Sequence, residues 1–224
     1  MMDPIQAQID VALQAPIRGW DFSWLRGRAE ETHPPWDYAA LVRAAAADAR
    51  RVLDIDTGGG EFLERLGPLF GSAVATEGYA PNVALARKRL GTRGIRVVHA
   101  ESAPDNADQA ATSPTASRST LPFSSGAFDL VIDRHSSYWP SEVRRVLADE
   151  GRFLTQQRSE AGTSGIAWEE LFDRPPHPHR RFDLTFAVGQ LVGAGFEIAR
   201  AEEADTPMMF SDLAAVVYYL RLVP

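Results

Sequence analysis

The stretch RRVLDIDTGGGEFLERL, residues 50–66, decides the fold. It starts as a short apolar segment typical of a buried strand, passes through three consecutive glycines, Gly58–Gly60, and continues as a helix-like segment. Glycines at such a turn let a ligand approach the backbone, and the N-terminus of the following helix directs N–H groups towards that ligand. The stretch therefore predicts a ligand site between a strand and a helix.

The rest of the chain continues this alternation of strands and helices. RVLDI, SAVATE, IRVVHAE, FDLVID and GRFLTQQ are strand-like, whereas WDYAALVRAAAADA, EFLERLGPLF, PNVALARKRL, SEVRRVLADE and a segment near 184–194 are helix-like. Strands that alternate with helices of about ten residues indicate βαβ units and a parallel sheet. We also expect strands at GFEIARAEE and at LAAVVYYLRLV, the second because it is rich in β-branched and aromatic residues.

The irregular segments suggest how the chain is organised. Residues 1–35 mix short apolar runs with proline, arginine and aromatic residues, so we expect an N-terminal helical arm or cap and a main domain over residues 36–224. Residues 102–120, SAPDNADQAATSPTASRST, are polar and lack periodicity, which predicts an insertion or a lid. Prolines and histidines at 173–183 predict a loop.

Composition narrows the class of protein. The 224 residues are 45% apolar and 24% charged, which is ordinary for a globular domain. The absence of cysteine excludes disulfides and thiolate metal sites, and a net charge of −7 argues against binding to a phosphate backbone. No apolar stretch is long enough for a membrane helix, and the N-terminus does not resemble a signal peptide. We expect a cytoplasmic protein that acts on a small molecule or on another protein.

The residues around the glycines indicate what kind of ligand they face. A dinucleotide-binding turn would need G-x-G-x-x-G, and Gly58 and Gly60 fit its first two glycines, but Leu63 stands at the third position. Asp54 ends the preceding strand. A carboxylate there would repel a pyrophosphate and attract an ammonium group, so the turn favours a cationic ligand.

This arrangement resembles motif I of the class I S-adenosylmethionine (SAM)-dependent methyltransferases, whose usual form is acid-x-Gly-x-Gly-x-Gly and which appears here as DIDTGGG, residues 54–60. Glu77 ends the second strand, where the family uses an acid for the two ribose hydroxyls. Glu101 lies where the family has an acid or polar group near the adenine. LPFSSGAFDLVIDRH resembles the family's fourth-strand segment. The resemblance covers roughly residues 36–222 and is to the group often labelled type 11.

The resemblance implies a fold, a cofactor and a set of binding residues. The fold is α/β, with a Rossmann-like, seven-stranded, mostly parallel sheet and helices on both faces; GFEIARAEE would be strand six and AVVYYLRL strand seven. The cofactor is SAM and the acceptor a small molecule. The cofactor-binding residues implied are Asp54, Asp56, Thr57, Gly58, Gly60, Glu77, Gly78, Glu101 and Asp133.

Asp56 departs from the family pattern, because it replaces the first motif glycine. Three interpretations are open. In the first interpretation Asp56 is a harmless turn residue, because Asp is one of the few non-glycine residues that tolerate unusual turn dihedrals. In the second it contacts the charged methionyl end of the cofactor, and in the third it impairs cofactor binding.

His135 is the leading candidate for a catalytic base. It lies just past the fourth strand in DRHSSYW, and the pKa of a histidine is ordinarily near neutrality. The alternative is that it only lines the cofactor pocket. His177 and His179 share one short loop but have no carboxylate at a diagnostic spacing, so we predict no metal site.

Three other functions compete with methyl transfer. A non-catalytic SAM- or nucleoside-binding module of the same fold is suggested by Asp56 and by the lack of a compelling catalytic constellation. A nicotinamide-dependent oxidoreductase is disfavoured by Leu63 and Asp54. A nucleic-acid methyltransferase is disfavoured by the net charge and by the absence of the Asn/Asp-Pro-Pro-aromatic segment.

Overall fold

A computed structural model describes residues 3–17, 21–68, 71–101, 103, 121–159 and 182–222. Helices and strands alternate through most of this part of the chain. In order they are helix α1 (Pro4–Gln14), a 3-10 helix (Phe22–Leu25), strand β1 (Ala29–Glu31), α2 (Tyr38–Ala46), β2 (Arg51–Ile55), α3 (Glu61–Leu66), β3 (Ser72–Glu77), α4 (Ala80–Gly91), β4 (Arg96–His99), β5 (Phe128–Arg134), α5 (Pro140–Val146), β6 (Leu147–Gln156), α6 (Leu184–Gly193), β7 (Met208–Phe210) and α7 (Leu213–Leu222).

The main sheet has five parallel strands in the order β4-β3-β2-β5-β6. The parallel sheet predicted from the sequence is thus confirmed. From β2 the chain moves outwards through β3 to β4, and then returns to place β5 on the other side of β2. In open α/β sheets such a reversal leaves a crevice at the carboxyl ends of the two strands that flank it, and ligands bind there. Here those strands are β2 and β5.

The core forms because the central strands are buried on both faces. Val52 and Leu53 in β2 and the run Leu130–Ile132 in β5 have no exposed surface, as expected for parallel strands covered by helices on both sides. One core cluster packs strand residues against α5; its members are Leu53, Ile55, Phe128, Val131, Tyr138, Val143, Val146 and Leu147.

Local sequence explains where several helices begin and end. The Asp37 carboxylate caps α2 by accepting a hydrogen bond from the Ala40 N–H at 3.0 Å. Helix α3 is shorter than the predicted EFLERLGPLF, because Gly67 leaves the helical conformation with φ 81° and Pro68 follows. Of the segment predicted as the helix SEVRRVLADE, the last four residues instead begin β6.

The prediction of seven strands in one sheet is wrong for the described residues. β1 and β7 form a separate antiparallel pair, and GFEIARAEE contains no strand. Of LAAVVYYLRLV, the residues Leu213–Leu222 form α7 instead of a strand. Its buried residues, Ala214, Ala215, Tyr218 and Leu222, lie on one face at helical spacing, so packing of that face outweighs the β propensity of its valines and tyrosines.

The chain forms two compact units, one of Met1–Trp36 with Ala204–Pro224 and the other of Asp37–Glu203. In the first unit, α1, the 3-10 helix and α7 share a small core of alanine, leucine and tyrosine side chains. The main sheet lies in the second. The predicted domain boundaries, 1–35 and 36–224, stay a prediction. The insertion at 102–120, apart from Ala103, and the loop at 173–183, apart from its last two residues, lie outside the described residues.

Among the helices of the described residues, none has the length and apolar character needed to cross a lipid bilayer.

Candidate functional site

Glu77 connects the end of β3 to the glycine turn that follows β2. It is the last residue of β3, and only 5% of its surface is exposed. Its Oε2 accepts a hydrogen bond from the Gly58 N–H at 2.7 Å, and its Oε1 accepts one from the Tyr79 N–H at 2.8 Å. Each carboxylate oxygen can accept more than one hydrogen bond. Glu77 therefore fixes the turn and retains acceptor capacity towards a ligand.

Asp54 lies beneath the turn, buried near the end of β2 with 4% of its surface exposed. Burial raises the pKa of its carboxyl to about 7, and the negative charges of Asp56 and Glu77 act in the same direction. Burial also raises the pKa of Glu77, and the charge of Asp56 adds to this shift. A ligand that brings positive charge to this site would favour the ionised carboxylates.

Asp56 joins the turn after β2 to the loop after β5. Its backbone has φ 47°, in the left-handed region where non-glycine residues are uncommon. Its N–H donates to Thr76 Oγ1 at 3.2 Å, and its Oδ2 accepts a hydrogen bond from Ser136 Oγ at 2.7 Å. Its Oδ1 is buried and has no hydrogen-bond partner within the described part of the chain. The harmless-turn interpretation thus accounts for the backbone of Asp56 but leaves one carboxylate oxygen unexplained.

Asp133 is the counterpart of Asp54 on β5, and none of its surface is exposed. Its Oδ1 accepts hydrogen bonds from the Ser136 N–H and from Gln157 Nε2, both at 3.2 Å. Its Oδ2 is buried and, among residues 3–17, 21–68, 71–101, 103, 121–159 and 182–222, has no hydrogen-bond partner. Burial and the charges of Asp54 and Asp56 raise its pKa well above the ordinary value.

Four carboxyl groups therefore meet at the carboxyl ends of β2, β3 and β5. None of them takes part in an ion pair with the described residues. No group of three or more metal-ligating side chains with metal-site geometry occurs in the same part of the chain. An organic cation suits such a cluster, because it neutralises the repulsion without requiring metal-like geometry. The four are Asp54, Asp56, Glu77 and Asp133.

The glycines of the turn have different roles. Gly58 has φ 63°, and a Cβ at this position would meet no atom within 4 Å. Gly60 has φ 83°, and a Cβ there would lie 2.9 Å from Cγ of Leu90. Gly60 is therefore required for packing of the turn against α4, whereas Gly58 borders open space where a ligand can approach the backbone.

Arg89 supports the turn from α4. Its guanidinium donates to the Gly59 carbonyl oxygen and pairs with the carboxylates of Glu61 and Glu64 in α3. A Cβ on Gly59 would lie 2.5 Å from Oε1 of Glu61. The middle glycine of the run, Gly59, therefore serves this support.

Glu101 lies beyond the end of β4, the strand next to β3. Its side chain is exposed and borders a small cavity of about 10 Å³. The other lining residues are largely apolar or aromatic; they include Ile55, Leu121, Tyr138 and Trp139. Ser137 and Glu142 add polar groups to this lining, and Ile55 and Tyr138 place the cavity beside the ends of β2 and β5.

His135 has a constrained backbone and a weakened base. Its φ is 63°, and its N–H donates to the Gln156 carbonyl oxygen at 2.9 Å. Surrounding protein, together with the positive charges of Arg134 and Arg158, lowers the pKa of its imidazole. The residue as a whole remains exposed, so water limits the size of this shift. The imidazole is neutral at pH 7 and is a weaker base than an ordinary histidine.

The structure brings together most of the residues that the sequence singled out. Thr57 and Gly78 lie at the two strand ends: the Thr57 N–H donates to the Thr76 carbonyl oxygen, and the Gly78 carbonyl oxygen accepts from His99 Nε2. Their roles as cofactor-binding residues stay predictions, as do those of the other residues proposed for the site. His177 and His179 lie outside the described residues.

Sequence reasoning missed the residues that position the acids. Ser136, which follows His135, donates its hydroxyl to Asp56; a short hydroxyl just after a strand end is a sequence signal for such a partner of a nearby carboxylate. Tyr38 was also missed. Its buried hydroxyl lies 3.0 Å from the carbonyl oxygens of both Asp133 and Leu154 and holds α2 on β5 and β6. No local sequence signal identifies this long-range contact.

These features fit SAM, which carries a ribose diol, a purine with an amino group, an ammonium group and a sulfonium. Gly58 leaves the backbone accessible, and Glu77 supplies acceptors beside it. The unpartnered oxygens of Asp56 and Asp133 supply further negative charge on the β5 side. These groups are therefore compatible with the cofactor that the resemblance implies.

Comparison with known proteins supports the fold. No protein-family model and no curated protein matches the sequence. A SAM-dependent methyltransferase from Aquifex aeolicus is similar in structure, with a TM-score of 0.52 and 15% identity over 89% of this chain and 92% of that chain. One from Mesorhizobium loti also gives a TM-score of 0.52 and 15% identity, over 74% of this chain and 82% of that chain.

The same fold also occurs in a protein with a different described activity. The cyclase SpnF is similar with a TM-score of 0.52 and 17% identity, over 88% of this chain and 70% of that chain. The structural likeness to these proteins shows that the chain has the class I SAM-dependent methyltransferase fold.

Proposed function

We propose that this chain, which has the class I SAM-dependent methyltransferase fold, binds SAM and transfers its methyl group to a small-molecule acceptor. One observation carries the proposal: the buried carboxylate of Glu77 is bonded to the backbone of the open glycine turn at Gly58. A ligand with a diol can reach the acceptor oxygens and the bare backbone at the same place. Fold similarity raises the expectation of methyl transfer but does not establish it.

The residues around this contact suggest how the cofactor would be held. Glu77 would accept the ribose hydroxyls, and Glu101, after the neighbouring strand β4, would lie near the base. Asp56 and Asp133, on the β5 side, would face the charged amino-acid end. Asp54 would act from below by ionising as positive charge arrives, because its pKa of about 7 lies close to physiological pH.

Bound SAM would supply an electrophilic methyl group on a good leaving group. The protein would then mainly align the acceptor, since correct alignment at near-contact distance accounts for much of the rate in such displacements. An acceptor that keeps its proton at working pH also needs a base. His135 stays the proposed base, and its lowered pKa suits an acceptor that ionises readily.

A non-catalytic SAM- or nucleoside-binding module is the second candidate. The lowered pKa of His135 favours it, as does the replacement of the first motif glycine by Asp56. The cyclase SpnF shows that this fold also occurs with a described activity other than methyl transfer.

Two measurements separate the candidates. Calorimetric titration with SAM tests binding, and release of S-adenosylhomocysteine over a panel of acceptors tests transfer. Both are expected for a methyltransferase. Binding without transfer over a panel of phenol, amine, carboxylate and carbon acceptors would favour the binding module. Replacing His135 with Ala should leave SAM affinity unchanged and, if His135 is the base, lower the transfer rate by about 100-fold or more.

A further inference from the structure

Two non-glycine residues of the described chain have positive φ, and both lie at the crevice. They are Asp56, with φ 47°, and His135, with φ 63°. Asp56 follows β2 and His135 follows β5, and these strands are direct neighbours with Ile55 opposite Asp133. The hydrogen bond from Ser136 to Asp56, at 2.7 Å, joins the two strained turns. The carboxylate of Asp56 is therefore held in place across the crevice.

Only one oxygen of this carboxylate takes part in that bond. Asp56 Oδ1 is buried without a partner among the described residues, and so is Oδ2 of Asp133, whose side chain is fully buried. Buried carboxylate oxygens are ordinarily hydrogen-bonded or paired with a cation. No ion pair of the described residues includes either acid. The crevice thus presents unneutralised acceptor oxygens on its β5 side.

The strand order determines which part of a ligand these oxygens face. Across the carboxyl edge, Glu101 follows β4, Glu77 ends β3, Asp56 follows β2 and Asp133 lies in β5. A nucleoside whose ribose contacts Glu77 has its base on one side and its 5′ substituent on the other. In the proposed function the base lies on the Glu101 side. The 5′ substituent is then directed towards Asp56 and Asp133, on the other side of Glu77.

We propose that Asp56, positioned by Ser136, makes this site selective for charge, so that it binds the sulfonium of SAM in preference to the neutral thioether of S-adenosylhomocysteine. The inference rests on the proposed function and specifies the ligand of the same site. The two molecules share the base, the ribose and the amino-acid group and differ at sulfur. A fixed carboxylate in a site shielded from water distinguishes them by Coulomb attraction to the one charge that differs.

The selectivity has a consequence for turnover. A site that attracts the sulfonium loses that attraction once the methyl group has left, so the demethylated product dissociates more readily than SAM. We expect wild-type protein to bind SAM at least about tenfold more tightly than S-adenosylhomocysteine at a pH of about 8.

The test is a calorimetric comparison of both ligands with wild type and three variants. Asp56→Asn keeps the shape and removes the charge, and asparagine also tolerates positive φ. Ser136→Ala keeps the charge and removes the hydrogen bond that positions it. Asp48→Asn is the matched control, because it removes an exposed carboxylate at the amino edge of the sheet. Its Oδ2 lies 4.0 Å from Nη2 of Arg152.

We expect Asp56→Asn to lower the preference for SAM by about tenfold, chiefly by weakening SAM binding, and Asp48→Asn to leave the preference unchanged. Ser136→Ala should lower it by a smaller factor. Sinefungin, which carries an amine where SAM carries the methyl sulfonium, should follow SAM. An unchanged preference in Asp56→Asn would overturn the inference while leaving SAM binding intact. Failure of wild type to bind either ligand would overturn the proposed function as well.

Discussion

At the scale of single residues, the site is determined by carboxyl groups in unfavourable surroundings. Asp54 and Asp133 are buried, and their pKa values are raised by burial and by neighbouring acids. The sequence predicted that Asp54 lies near the end of a strand, because the strand pattern and the glycines identify that end. Its burial beside a second acid from β5 was not, because that depends on which strands become neighbours.

The raised pKa of Asp54 predicts how stability depends on pH. The folded state holds this proton up to about pH 7, whereas the unfolded chain releases it near 3.8. The contribution of Asp54 to stability is therefore fully present below about pH 3.8 and is lost as the pH rises to about 7. Urea unfolding at several pH values should show that Asp54→Asn makes the decline between these limits shallower.

Asp129 provides a comparison of opposite sign. Its pKa is lowered by its hydrogen bond with Arg51, so its contribution is present at neutral pH and is lost on acidification. Asp129→Asn should therefore be less stable than wild type at neutral pH and lose less stability on acidification.

The outcome that would contradict the Asp54 prediction is equally clear. If plots of the free energy of unfolding against pH ran parallel for wild type and Asp54→Asn from pH 4 to 7, the account of the buried carboxyl would be wrong.

At the scale of secondary-structure elements, the turn between β2 and α3 depends on two glycines for different reasons. The sequence predicted a glycine turn between a strand and a helix, and the structure confirms it. It could not predict which glycine meets a neighbour, because the packing of Leu90 against the turn comes from α4, some 30 residues further along the chain.

Replacing each of these glycines with alanine should separate stability from binding. Gly60→Ala strains φ and drives Cβ against Leu90, so it should lower the free energy of unfolding by about 1–3 kcal/mol. Gly58→Ala meets no neighbour, so its cost is limited to the strain at φ, about 1–2 kcal/mol, while its methyl group enters the space left for the ligand. Urea unfolding and SAM calorimetry on both variants measure these effects.

The contrast between the two variants is itself the control. Gly58→Ala should weaken SAM binding by more than its loss of folding stability explains. Gly60→Ala should lower the free energy of unfolding more and SAM affinity less. Equal SAM affinity in wild type and Gly58→Ala would mean that the ligand does not approach this part of the turn.

A buried tyrosine hydroxyl helps to hold the start of α2 on the sheet. Tyr38→Phe removes the hydrogen bond to the carbonyl oxygens of Asp133 and Leu154 but keeps the ring, which packs 5.5 Å from Phe62. We expect a loss of about 1–2 kcal/mol in the free energy of unfolding, because the hydrogen bond from this buried hydroxyl to the strand carbonyl oxygens is lost. Tyr79→Phe, at an exposed position, is the matched control and should change stability little. An unchanged free energy of unfolding in Tyr38→Phe would contradict this role of the hydroxyl.

At the scale of the whole molecule, the two ends of the chain contribute to one compact unit. This was not predictable from local patterns. The valines and tyrosines of LAAVVYYLRLV favour a strand, but Tyr218 stacks on Trp24 at 4.5 Å, and Arg221 donates to carbonyl oxygens at the end of α1. The alanine face that packs against α1 is compatible with a helix and not with alternation along a strand.

Tyr218 should therefore be essential to that unit. It is 1% exposed, and its hydroxyl donates to the Pro16 carbonyl oxygen at 3.1 Å. Tyr218→Ala should cost about 3–5 kcal/mol within the unit. Hydrogen exchange should then show joint loss of protection in α1 and α7, while strands β2 and β5 stay protected. Loss of protection in α7 alone would contradict the joint unit.

The central claim is that Glu77 and the glycine turn bind the ribose of SAM. Calorimetric titration of SAM into wild type and Glu77→Gln tests it most directly, with Glu150→Gln, the same change at the opposite edge of the sheet, as the control. We predict that Glu77→Gln weakens binding tenfold or more, about 1.4 kcal/mol, and that Glu150→Gln leaves it unchanged. Equal SAM affinity in wild type and Glu77→Gln would contradict the account.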